Sequence, residues 1–141
     1  MYTLEELVEQ NRDIKQLCEV LGVLMPNTAL HDNEYVIDLM NLFREKVWMH
    51  LVFEDKTVYA ELARHSDDEI KQIAHDFHQS ARGTKKDFAE FMRRWQHRED
   101  APHDNTLCEQ CGAMFQQILE RVEYENKKMF PLVEEHQNIN E

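Results

Sequence analysis

The sequence predicts an all-α fold, an antiparallel up-down four-helix bundle, on three observations. Apolar residues recur at helical spacing through four long segments. Glycine and proline number three each in 141 residues, which is little material for tight turns. Leu, Met, Glu, Lys, Gln and Arg, all good helix formers, are plentiful, and no alternating strand pattern competes. Long helices with short connections pack as antiparallel neighbours. The length is that of one domain over residues 1–141, enough to bury a real core.

The first helix is expected from Thr3 to Met25, with Leu4, Leu7, Ile14, Leu21 and Leu24 on its apolar side. Thr3 with Glu6 has the spacing of a capping box, and Pro26 is a stop signal. The second is expected from Asp32 to Arg64, with Val36, Met40, Phe43, Val47, Leu51 and Val58 on one face. Ser66 with Glu69 forms the next capping box, and the third helix runs to Gln96 through Ile70, Ala74, Phe77, Ala81, Thr84, Phe88 and Trp95. After the polar loop "HREDAPHDN", Thr106 with Glu109 caps the fourth. It continues to Glu134 through Cys111, Phe115, Ile118, Val122 and Met129, and the tail "HQNINE" is expected to fray. "EDKTVY" at 54–59 echoes "ENKKMF" at 125–130, which suggests two related helical hairpins about a pseudo-twofold.

Polar residues interrupt the apolar faces. At about 100° per residue, Glu54 falls at the centre of the second helix's apolar arc, with His50 within about 40° of it. Glu125 lies near the centre of the fourth helix's arc, with Arg121 at its edge. Asn11 interrupts the first helix, and His78 sits at the edge of the third, with His75 further out. Counting residues from each turn brings Asn11, His50, Glu54, His78, Arg121 and Glu125 to a similar height. A buried unpaired charge is very costly, so such a layer must be satisfied internally. One solution is a metal ion held by His50, Glu54, His78 and Glu125, since imidazole with carboxylate suits iron, manganese or zinc. The other makes Arg121 the cation, bridging Glu54 and Glu125 in a metal-free network with Asn11 and His50.

"HLVFEDKTVY" followed by "ERVEYENKKMFP" resembles the hemerythrin-like HHE cation-binding family. The resemblance covers nearly the whole chain: helix count, hairpin duplication, the His-x-x-x-Glu of residues 50–54, and the Glu-x-x-x-x-Phe-Pro ending at Pro131. It implies a four-helix bundle with a non-haem iron centre used for oxygen binding, iron handling, or nitric oxide and redox sensing. That pattern has histidines where this chain has Asn11 and Arg121, and its third-helix ligand matches His78 only approximately. One metal, or none, is therefore expected in place of a full di-iron centre. "ILERVEYENKKMF" is also similar to regulator-of-sigma-D-like anti-sigma factors. That likeness implies a metal-free, protein-binding bundle, bacterial in character.

The net charge of −12 repels phosphate backbones and argues against nucleic acid and anionic membranes as partners. No apolar run approaches the ~20 residues of a membrane span. The N-terminal "MYTLEELVEQ" lacks the basic-then-apolar pattern of a secretion signal, and three cysteines without framework spacing suit a reducing compartment, so a cytoplasmic location is expected. "CEQC" at Cys108–Cys111 near a helix start could be redox-active, or could bind zinc with His97 and His103, but both cysteines project toward the apolar arc beside Phe115. Trp48, Trp95, Phe77, Phe88 and Phe91 read as core or surface anchors, and His31, His65 and His136 as solvated. No nucleophile triad or phosphate loop assembles, so a binding or sensing domain is expected and not an enzyme. A homodimer through exposed apolar residues is compatible with the pattern.

Overall fold

Thr3 begins the first helix as expected: its Oγ1 accepts a hydrogen bond from Glu6 N at 3.2 Å, capping α1 (Leu4–Leu24). The computed structural model describes residues 3–100 and 106–139. A short 3₁₀ turn, Thr28–Leu30, leads to α2 (Glu34–Glu54). Asn33 caps α2, its side-chain oxygen accepting from Tyr35 N and Val36 N, which places the start two residues beyond Asp32. α2 continues through a π-helical turn, Asp55–Tyr59, into α3 (Ala60–Ala63), completing one rod.

The third rod is α4 (Asp68–Gln96). Its N-cap is Asp67 and not Ser66, because the Asp67 carboxylate accepts from Glu69 N. The fourth rod comprises α5 (Thr106–Tyr124), a second π-helical turn at Glu125–Met129, and α6 (Phe130–Ile139). The residues that precede Thr106, where the expected cap would be judged, lie outside the described residues. α6 runs through Ile139. His136 Nδ1 lies 3.0 Å from Glu61 Oε1, and its ring centroid is 4.8 Å from that of His65, tying the rod's end to the second rod.

α1 packs on α2 and α5, and α4 packs on α5 and on the second rod. The described residues are helical rods and short turns with no strand, so the chain is an all-α four-helix bundle. Its core is split. One apolar cluster holds Ile14, Leu21, Met40, Phe43, Phe88, Phe115, Val122 and their neighbours. The other holds Leu7, Val58, Leu62, Ala74, Phe77, Met129 and Val133. Along three rods the division falls at one height: Leu7 and Ile14 flank Asn11, Leu51 and Val58 flank Glu54, and Val122 and Met129 flank Glu125. No described helix is long and apolar enough to cross a membrane.

Candidate metal centre

The polar layer between the two clusters is where the duplicated stretches meet. His50, Glu54 and Glu125 are 3 %, 0 % and 0 % exposed. His50 Nε2 is 2.8 Å from Glu125 Oε1 and 3.2 Å from Glu54 Oε2. One ligand atom from each of the three lies within 4.8 Å of the others. Both glutamates sit where an α-helix passes into a π turn. Such a turn adds a residue and re-aims the side chains around it, a feature frequent at functional sites.

The other nitrogen of His50, Nδ1, is 2.8 Å from Gln10 Oε1. It donates to that oxygen, which fixes the ring plane and leaves Nε2 facing the two carboxylates. This is the arrangement in which an outer hydrogen bond orients a metal-binding imidazole. Gln10 had no signal in the sequence, since a glutamine beside a helix face is ordinary.

Arg121 enters from the fourth rod with its side chain 10 % exposed. Its Nε and Nη2 donate to Glu54 Oε1 at 2.9 and 2.5 Å, and Nε is 3.4 Å from Glu125 Oε2. Nη1 donates to Ser80 Oγ at 2.9 Å, and the guanidinium carbon lies 4.2 Å above the Phe77 ring. Asn11 Nδ2 donates to Glu125 Oε1 at 3.0 Å and to Asn126 Oδ1 at 3.2 Å. Asn11, His50, Glu54, Arg121 and Glu125 thus come together as expected.

With both carboxylates ionised, Arg121 and a protonated His50 bring the layer to zero net charge. Burial opposes charge on His50, but Glu125 and then Glu54 outweigh it and push its pKa up to about 10. Glu54 is pushed up to about 8 by burial and by the charge of Glu125. Glu125 is held down to about 2: burial opposes its charge and is outweighed by His50, by hydrogen bonding with Glu54, and by Arg121. The two glutamates titrate as a pair, and the guanidinium on Glu54 favours its ionised form. The direction that stands is that Glu54 takes up a proton more readily than Glu125.

The layer is short of donors. Asn11 Oδ1, Glu54 Oε2 and Glu125 Oε2 are buried oxygens without a hydrogen-bond donor. An unmatched buried acceptor costs about 1–3 kcal/mol. Two carboxylates around one imidazole nitrogen fit a single divalent cation, with oxygen and nitrogen ligands suited to iron, manganese or zinc. Two ions do not fit. Asn11 presents an amide N–H to Glu125, and Arg121 is a permanent cation on Glu54.

His78 is placed beside this group, not in it. Its Nδ1 bonds Asp55 Oδ1, and its ring stacks on Tyr59 with centroids 4.2 Å apart. Lys85 Nζ approaches the other oxygen of Asp55 at 4.0 Å. His75 is exposed. His31, expected to be solvated, is 8 % exposed: Nε2–H donates to Met25 O at 2.7 Å, and the ring meets Trp95 edge-on at 5.5 Å. It closes the end of α1 by bonding a terminal carbonyl.

The cysteines point inward as expected. Cys18 and Cys111 are buried, and their thiols are pushed up to about 12, mainly by burial and then by Glu19 and Cys108 respectively. Cys108 is half-buried, 3.5 Å from Met25 O and 3.9 Å from His31 Nε2. His97 pairs with Asp100 at 3.7 Å, and His103 lies outside the described residues. Among the described residues His50, Glu54 and Glu125 form the one group of three or more His, Cys, Asp or Glu side chains close enough together to hold a metal ion.

The family model described as the hemerythrin HHE cation binding domain matches residues 2–133. No curated protein and no solved structure matches the chain.

Proposed function

The chain belongs to the hemerythrin HHE cation binding domain family, and from that premise we propose that it binds one transition-metal cation, iron, through His50, Glu54 and Glu125. The observation that carries this reading is the convergence of three buried side chains able to ligate a metal, two of them with a carboxylate oxygen that has no hydrogen-bond donor. His78 is the candidate fourth ligand, available if it leaves Asp55. When bound, iron would supply a redox-active centre and an open position for a small diatomic ligand such as oxygen or nitric oxide. The chain's own residues would do the rest. Gln10 holds the Nδ1 proton of His50, Glu54 and Glu125 supply negative charge, and the apolar clusters on either side exclude water. Because both glutamates are fully buried, the layer admits small species only. This supports sensing or iron handling, and not turnover of an organic substrate.

A second reading has its own observation. Arg121 already sits on Glu54, and the layer can reach zero net charge without an ion. On that reading the bundle is metal-free and acts as a protein-binding regulator, as the anti-sigma likeness implies. Anaerobic Fe(II) loading, followed by metal analysis and visible absorption in air, tests the two. One iron per chain, lost in His50→Ala, supports the first. Substoichiometric metal that His50→Ala leaves unchanged overturns it in favour of the second.

A further inference from the structure

α2 is unusual among the long helices in carrying several exposed large apolar side chains besides its buried face. Its inner face carries Val36, Met40, Phe43, Val47 and Leu51, all buried. Its solvent side carries four exposed apolar residues: Trp48, 44 % exposed, and, about 100–140° further round, Met49, Leu42 and Tyr35, 45 %, 40 % and 78 % exposed. No other helix presents as many exposed large apolar side chains among the described residues. Exposed apolar side chains that share one groove mark an interaction site more than singly scattered ones do. Trp48 and Met49 also face α4, where with Phe88, Ala89 and Met92 they line an open groove of about 560 Å³.

The charges beside this patch indicate what covers it. Arg44 and Glu45 line the groove, and neither has an ion-pair partner among the described residues. At about 100° per residue they flank Trp48 on opposite sides, Arg44 about 40° to one side and Glu45 about 60° to the other. A twofold axis parallel to α2 would therefore bring Arg44 of one copy onto Glu45 of the next, twice, around a Trp48–Trp48 contact. Such a surface is self-complementary, as an isologous interface requires. We propose that the face of α2 centred on Trp48 is a homodimer interface, with Trp48 as its apolar anchor and reciprocal Arg44–Glu45 pairs setting the register. The proposal stands apart from the metal reading, since none of these residues touches the polar layer.

Sedimentation velocity on the full chain tests it. The native protein is expected to sediment at twice the 17.0 kDa chain mass. Arg44→Glu and Glu45→Arg each place like charges across the twofold and should weaken the dimer by about a hundredfold or more. Mixed in equal amounts, the two variants should recover the dimer, because each supplies the charge that the other lacks. Both substitutions lie on the helix surface, and circular dichroism of each variant checks that it folds. A monomer at all accessible concentrations overturns the proposal. So does a dimer that Arg44→Glu leaves intact, or two monomeric variants that fail to associate on mixing.

Discussion

Replacing Arg121 by methionine keeps most of the side-chain stem and removes the charge. Glu54 Oε1 then loses both of its guanidinium donors, at 2.9 and 2.5 Å, and Glu125 Oε2 loses its neighbour at 3.4 Å. With the Arg121 side chain 10 % exposed and both carboxylates fully buried, solvent recovers little of this. Breaking a buried ion pair from one side costs about 3–5 kcal/mol, because the remaining charge is left without compensation. Arg121→Met should therefore lower the unfolding free energy by about that amount in urea titrations of metal-free protein. Removing the stranded partner as well, in Glu54→Leu/Arg121→Met, should return much of the loss, since a matched apolar pair has no buried charge to satisfy. The same variants separate the two functional readings. A divalent cation at one hundred times its Kd would add about 2.7 kcal/mol to a protein that binds it. If Arg121 stands in for the ion, only Arg121→Met gains stability on adding Fe(II). If the native layer binds iron, both proteins gain. A loss below about 1 kcal/mol in Arg121→Met would refute the buried-pair reasoning, as would a double variant no more stable than the single one.

The pH dependence of stability follows from the shifts. His50 and Glu54 are raised to about 10 and about 8, so the stability they bring is complete below the ordinary values of 6.5 and 4.5. It is lost as pH rises through the raised values. Glu125, lowered to about 2, acts in the opposite sense, its contribution present above 4.5 and lost as pH falls toward about 2. Metal-free protein should be most stable near pH 4.5, weaken as pH rises from there, and weaken more steeply above about pH 6.5 in denaturant titrations. Metal binding should instead strengthen with pH, by up to about tenfold per unit, because Nε2 of His50 must release its proton; equilibrium titrations at three pH values would check this. Gln10→Leu should weaken metal binding by about ten- to a hundredfold through loss of the Nδ1 partner, with little change in fold. His78→Ala should cost no more than about 1 kcal/mol, as a partly exposed pair does, and should leave the metal content unchanged unless His78 is the fourth ligand. One thiol per native chain, Cys108, should react readily with an alkylating reagent, and all three should react after unfolding.

Fold and layer were legible in the sequence because both are matters of periodicity. Leu7, Ile14 and Leu21, or Val47, Leu51 and Val58, declare a buried face by spacing alone. Asn11, Glu54 and Glu125 declare themselves by breaking it. The capping oxygens of Thr3 and Asn33 act on backbone within three residues, so local chemistry suffices to start those helices. Asp67 in place of Ser66 is a choice between two adjacent residues capable of capping, settled by backbone geometry.

What only the tertiary structure decided is which partners the buried groups take. Arg121 could have turned to solvent, but packing over Phe77 and against Ser80 directs it onto Glu54. His78 matched the layer's height, but it stacks on Tyr59 and bonds Asp55 at the layer's edge. Gln10 and His31 acquire their roles from neighbours 40 residues away in one case and 6 in the other. Helical spacing says that a side chain faces inward. Whether it meets a donor, an acceptor or a ring there depends on the rotation and height of three other rods, and on π turns that shift the count by one residue.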